Sequence, residues 1–174
     1  LENTELKFEA PVFKKKPKGL NLPKIIDLPM DHYASQYCIG RKIPKDTYNT
    51  LHYANDFKAF IDELLPDHDK DLKEDDPRLI IPFYYEGRVV GWTGRSVLAD
   101  KQPKYLTEVQ PGFVYGVDEQ GPHKVFTILC EGQLDAIHID GCALGGSEIS
   151  DQQAMILNRL QKDIIVVPDR DSAG

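Results

Sequence analysis

The sequence is short of cysteine, and the cysteines it has are badly placed for metal. Cys38, Cys130 and Cys142 are its three. They form no Cys-x-x-Cys pair and have no histidine at ligand spacing, which argues against a zinc site within the chain and for reduced thiols in a cytosolic protein. A continuous apolar run of ~20 residues is also missing, so no segment reads as a membrane span. Residues 1–20 are polar and basic and lack the apolar core of a signal peptide. Positive charge is in deficit too: 21 Lys and Arg against 28 Asp and Glu leave a net charge of −7. Any contact with nucleic acid therefore needs a local basic surface rather than a whole-molecule field.

What remains has a globular composition, with 41% hydrophobic and 28% charged residues in a chain of 174. That length suits one large domain or two small ones and can bury roughly 70% of the unfolded surface. Residues 1–30 read as a linker: residues 1–29 hold four prolines and the basic run Lys14 to Gly19, so a long helix is forbidden. The basic run fits either a solvated linker or an arm near a phosphate backbone. Residues 31–75 read as short helices and an acidic loop. Asp31 is placed to cap the first helix and Gly40 to end it. Pro44 suits the first turn of a second. Phe57, Phe60, Ile61 and Leu64 recur at helical spacing in a third, and the run Asp67 to Asp76 reads as a solvated loop.

Residues 76–122 change character. "RLIIPFYYEGRVVGWTGRSV" is apolar and β-branched, with Glu86-Gly87 as a hairpin turn, and "KYLT" and "FVYGV" are candidate strands. Residues 123–174 alternate: strand "KVFTIL", helix "QLDAIHID", strand "CALG", a helix opened by a Ser150–Gln153 capping box, and strand "DIIVVP". That order predicts a parallel sheet with right-handed crossovers. The fold class is thus α/β: a parallel Rossmann-like sheet, incomplete at the C-terminus, after a small mixed β-rich subdomain and an N-terminal helical segment.

Two of these strands run into acids. "VFTILC" leads to Glu131-Gly132, and "DIIVVP" to Asp169 and Asp171. In open parallel sheets functional groups gather at the carboxyl ends of strands. If the two strands are neighbours, three carboxylates meet, and their mutual repulsion calls for a divalent cation. Hard oxygen donors favour Mg²⁺ or Mn²⁺ over zinc. Asp169 and Asp171, two apart, share one side of an extended segment, and Gly132 allows a sharp turn after Glu131. Asp171 also reads as a simple helix cap.

"CEGQLDAI" followed by "PDRDSAG" resembles the toprim domain shared by bacterial-type primases, topoisomerases and some nucleases. Upstream, Arg78, Pro82, Gly87-Arg88, Gly91 to Arg95 and Pro103 to Leu106 resemble the start of the polymerase domain of DnaG-type primases, and "LPMDHYASQYCIGRKIP" resembles an element that precedes it in phage primases. The likeness covers roughly residues 28–174. It implies a primase catalytic core, a nucleotidyltransferase that makes short RNA primers on single-stranded DNA from NTPs during replication. It also implies Glu131, Asp169 and Asp171 as catalytic acids holding Mg²⁺ or Mn²⁺, and Asp135 as a further acid of the Glu-Gly-x-x-Asp signature. Arg78, Arg95, Lys104 and Tyr105 would line a groove for template and nucleotides.

By the same likeness, zinc would belong to a separate upstream domain, a replicative helicase would be a partner, and the setting would be the cytoplasm of a bacterium or phage-infected host. Leu1 in place of Met, and an ending three residues after Asp171, lead to the expectation of a fragment. Thr107 stands where relatives carry Asn, and Gln133 where they carry an aromatic residue. Arg95 and Lys104 also read as solvated loop charges, Tyr105, Trp92, Tyr84 and Tyr85 as core, and His138 as packing. The alternatives are a toprim nuclease or topoisomerase, an aspartyl phosphatase that would not need Glu131, and a non-catalytic single-stranded DNA-binding module.

Overall fold

A computed structural model describes residues 11–13, 20–67, 72 and 76–170. They divide into two compact units, one within residues 20–109 and the other formed by residues 11–13 and 110–170.

The first unit is built on a four-stranded antiparallel sheet of β1 (His52–Ala54), β2 (Arg78–Tyr85), β3 (Arg88–Ser96) and β4 (Tyr105–Glu108), in the order β1-β2-β3-β4. The β2–β3 hairpin turns at Glu86-Gly87, as its sequence predicts, with φ of 51° and 70°; two positive φ values in succession are the signature of a type I′ turn, whose twist matches the flanking strands. Strand β1 has no counterpart in the sequence reading, which makes residues 31–65 all helical. Three residues are too few to show an alternation, and it is their pairing with β2 that makes them a strand. The helices α1 (Tyr33–Gly40) and α2 (Phe57–Leu64) flank it.

Several local details differ from expectation. His32, not Asp31, caps α1, its Nδ1 accepting from the Ala34 amide at 3.1 Å. The left-handed residue that ends the helix is Lys42, at φ 57°, rather than Gly40. The segment after Pro44 is a 3₁₀ turn at Lys45–Asn49. Residues 20–28, read as linker, run beside β1: Ile25 is buried and its amide donates to the Leu51 carbonyl at 2.9 Å. The basic run Lys14 to Gly19 lies outside the described residues.

Asp56 caps α2 by accepting from the Ala59 amide. The helix lays Phe57, Phe60 and Ile61 on Ala54, Ile80 and Trp92, and Trp92 meets both phenylalanines edge-on at 5.6 and 5.7 Å. Trp92 is 1% exposed, so it belongs to the core and offers no ring to a base. Aromatic pairs of this kind add about 0.5–1.5 kcal/mol beyond their area burial.

The second unit holds a parallel three-stranded sheet in the order β6-β5-β7, from β5 (Phe126–Cys130), β6 (Cys142–Ala143) and β7 (Asp163–Val166). Helix α3 (Gln133–Ile139) connects the first two strands, and α4 (Asp151–Asn158) opens with the expected capping box of Ser150 and Gln153. "FVYGV" forms no strand: only Tyr115 makes an isolated bridge, to Ala143. Strand β7 is apolar in sequence but not buried. It lies at the sheet edge, with Ile165, Val166 and Val167 between 47% and 64% exposed, because no described element covers it. Among the described residues no helix is long and apolar enough to cross a membrane.

All three cysteines are free and buried. Burial pushes the thiols of Cys38 and Cys130 up to about 11 and that of Cys142 up to about 12, against an ordinary 9.0. The folded protein therefore holds these protons above the pH at which unfolded thiols release them, and the thiols' contribution to folding stability is constant below pH ~9 and falls as pH rises from there. Thiol titration with a chromogenic disulfide at pH 8 should report slow reaction for the native protein and three fast equivalents after denaturation. Fast native labelling would contradict the burial.

Candidate active site

The acids come together because β5 is the central strand. Its register with β7 pairs Leu129 with Val166, and the Val167 amide continues the ladder onto the Leu129 carbonyl at 2.8 Å. Both chains then leave the sheet at the same end, one into Glu131 and the other into Asp169. The Asp169 amide donates to Oε1 of Glu131 at 3.2 Å. On the other side β6 holds the backbone, with the Gly145 amide donating to the Glu131 carbonyl at 2.9 Å. Glu131 is thus fixed from both neighbouring strands at the carboxyl edge of the parallel sheet, where such sheets carry their functional groups.

Gly132 plays a different part from the one its sequence suggests. Its φ of −96° and ψ of 142° are open to any residue, so it makes no special turn. What it supplies is room: a Cβ there would stand 2.6 Å from Oδ2 of Asp135. The Asp135 carboxylate, from the first turn of α3, thereby lies over the Glu131–Gly132 backbone. The Cys130 thiol registers the charge. Burial raises its pKa first, and the nearby carboxylates of Asp135 and Asp169 raise it further. Asp171 lies outside the described residues. Among the described residues no group of three or more His, Cys, Asp or Glu is gathered closely enough to hold a metal ion. The donors in place at the edge are oxygens alone, which is the chemistry a hard divalent cation takes. His138 is packing: its ring Nδ1 pairs with the Leu134 carbonyl at 2.6 Å.

In the first unit Arg78 is not where a groove residue should be. It is 0% exposed. Its Nε and Nη2 donate to Oδ2 of Asp76 at 2.9 and 2.7 Å, Nη1 to the Gly94 carbonyl at 2.8 Å, and Nη2 also to the Pro103 carbonyl at 2.9 Å. The guanidinium lies 4.9 Å over the Phe57 ring. Nη1 also lies 3.5 Å from the Lys104 carbonyl, so all five N–H groups have an acceptor; a buried charge demands this much compensation, and no donor is left for a ligand. Asp76, read as the end of a solvated acidic loop, is buried for the same reason. Gly94 admits the arrangement, since a Cβ there would meet Phe57 Cε2 at 2.8 Å and Arg78 Cδ at 3.2 Å.

Lys104 and Tyr105 follow the carbonyls that Arg78 holds. Lys104 is exposed, and Tyr105, expected as groove or core, is 38% exposed with the Arg95 guanidinium 4.6 Å over its ring. Arg95 also donates from Nε to the Tyr37 hydroxyl at 3.2 Å, a partner the sequence gives no means of finding. Thr107 is a cross-strand residue, its Oγ1 2.8 Å from Oγ1 of Thr93.

No family model matches the chain. It is similar to curated DNA primases of Aquifex aeolicus, at 28% identity over 113 residues, and of Clostridium acetobutylicum, at 30% over 112. Each match takes in 56% of this chain and only 23% and 19% of those proteins. Among solved structures, the zinc-binding and RNA polymerase domains of the Aquifex aeolicus primase match with a TM-score of 0.65 and 25% identity, covering 83% of this chain and 44% of that one. A DnaG primase catalytic domain bound to single-stranded DNA matches at 0.68 and 18%, covering 88% and 59%. The resemblance to DnaG-type primases drawn from the motifs is borne out, and the fold is that of the primase catalytic core.

Replacing Arg78 with Ala should lower the unfolding free energy by about 3–5 kcal/mol, because the Asp76 carboxylate is left buried without its counter-charge. Asp76→Asn in the same background should recover part of the loss. Urea denaturation of the two variants measures both, and a loss below ~1 kcal/mol for Arg78→Ala would contradict the buried pair.

Proposed function

We propose that this chain is catalytic-core sequence of a DNA primase, and that it takes part in making short RNA primers on single-stranded DNA from NTPs by nucleotidyl transfer. The observation that carries this reading is the Glu131–Asp169 contact at the carboxyl ends of adjacent parallel strands, in a chain similar to named DNA primases. Glu131, Asp169 and Asp171 are the proposed catalytic acids, with Asp135 beside them.

The chain's own residues divide the work. Glu131, held by the Gly145 and Asp169 amides, presents carboxylate oxygen at a fixed point. It also offers a base to take the proton of an attacking 3′-hydroxyl. Arg95, Lys104 and Tyr105 are proposed to contact template or nucleotide phosphates and bases, which makes binding weaken as salt rises. Mg²⁺ or Mn²⁺ held by Glu131 and Asp169, with Asp171, would supply Lewis-acid stabilisation of charge at the transferred phosphate.

An upstream zinc domain and a helicase partner remain part of the proposal for the whole protein.

The test is ribonucleotide incorporation on a single-stranded template with Mg²⁺, in the full-length protein. Glu131→Gln, Asp169→Asn and Asp171→Asn should each reduce primer synthesis at least 100-fold, the scale at which removing one catalytic group acts. Their melting temperatures should equal or slightly exceed that of the parent, since each change removes like-charge repulsion. If all three variants still make primers at the parental rate, the acid site is wrong. Phosphatase activity that survives Glu131→Gln would favour an aspartyl phosphatase instead.

A further inference from the structure

The start of α4 does more than begin a helix. Gln153 closes the capping box with Ser150, its Oε1 accepting from the Ser150 amide at 3.0 Å and from the Ser150 hydroxyl at 3.1 Å. A capping box asks only for an acceptor at this place, and glutamate serves it as well as glutamine. The amide nitrogen is surplus to the cap, yet it is engaged too. Nε2 donates to the Leu144 carbonyl at 3.0 Å and to the Phe113 carbonyl at 2.9 Å. The residue is 8% exposed, and both N–H groups and both lone pairs of its side-chain amide have partners.

The Leu144 carbonyl belongs to the peptide group that joins Leu144 to Gly145. The N–H of that same group donates to the Glu131 carbonyl at 2.9 Å. A trans peptide is planar, with its C=O and N–H on opposite sides, so a grip on one sets the direction of the other. Gln153 therefore reaches Glu131 through one rigid plane, and hydrogen bonds in series polarise one another. The plane needs an outside hold. Gly145 sits at φ 78°, and glycine passes readily between positive and negative φ. Rotation of the 144–145 peptide would turn its N–H away from Glu131, leaving the Asp169 amide to hold that residue from the β7 side alone. The second bond of Nε2, to Phe113, anchors the grip, because the Phe113 segment is itself bridged to β6 between Tyr115 and Ala143.

We infer that Gln153 is a positioning residue of the acid site: its two N–H groups fix the Leu144–Gly145 peptide, and that peptide seats Glu131. The helix cap and the seat of a catalytic acid thus share one side chain. The inference rests on the primase reading for the role of Glu131, and adds to it a residue that touches neither substrate nor metal.

The experiment uses the full-length protein and separates the two halves of the side chain. Gln153→Met is neutral, similar in shape and has no donor. Gln153→Glu keeps the cap acceptor and also has no donor. Ser150→Ala weakens the cap and leaves the Gln153 donors in place. Three quantities are read for each: melting temperature, hydrogen exchange of the peptide containing Gly145 by mass spectrometry, and kcat and KM for ribonucleotide incorporation on a single-stranded template. Both Gln153 variants should speed exchange at Gly145 and lower kcat about threefold to tenfold, the rate equivalent of one hydrogen bond's net worth, with KM for NTP unchanged. Ser150→Ala should lower the melting temperature and leave kcat and Gly145 exchange at the parental values. If Gln153→Met and Gln153→Glu keep the parental kcat, the inference is overturned and the primase reading stands. If Ser150→Ala lowers kcat as far as they do, the effect belongs to the helix start and the inference is overturned. If the parent makes no primers, the primase reading falls and takes the catalytic role of Gln153 with it; parental Gly145 exchange in both Gln153 variants would then overturn the structural link as well.

Discussion

A single guanidinium buried inside the first unit sets the terms for what surrounds it. Arg78 sits with none of its surface in water, so each of its donors must find an acceptor or the fold loses several kcal/mol. Those acceptors come from three separate stretches: Asp76 just ahead of the strand, the Gly94 carbonyl on the neighbouring strand, and the Pro103 carbonyl on the approach to β4. The Phe57 face closes the fourth side. Arg78, Gly94 and Pro103-Lys104-Tyr105 look like separate motifs in the sequence and are one packed object in space. Substituting Gly94 crowds the same side chain that the Pro103 carbonyl needs. An arginine with no access to solvent thereby acts on the surface, because it fixes the backbone from which Lys104 and Tyr105 project.

The second unit obeys an opposite electrostatic rule. Its strands deliver like charges to one edge and supply backbone amides there, one to the Glu131 carboxylate and one to its carbonyl. Amide donors are the internal means by which a protein holds a carboxylate in place before any cation arrives.

The elements legible in the sequence are those with their own local chemistry: the Glu86-Gly87 turn, the Ser150–Gln153 box, the Phe57–Phe60–Ile61 stripe and the strand–helix alternation after residue 124. The convergence of Glu131 with Asp169 was legible as well, because two parallel strands that pair with each other end together. What escaped depends on partners far along the chain. Strand β1 exists through β2, and the Asp76 side chain is buried through Arg78. Arg78 itself misled, since an arginine opening an apolar strand looks the same whether it faces a ligand or a carbonyl cage. Tyr37 gave no sign of its bond to Arg95, which lies more than fifty residues further along the chain.

Strand order has a consequence in time as well as in space. The sheet reads β6-β5-β7, so the centre is translated first, one flank next and the other flank last. The β5–β6 pair, with the Glu131 carbonyl seated on Gly145, needs nothing from β7. The anionic edge at that stage carries Glu131 and Asp135 without the third charge. Docking of β7 adds that charge and, in the same movement, the amide that bonds Glu131. Assembly of the acid site is thereby completed by the final strand, which brings the added charge and the amide that holds its neighbour together.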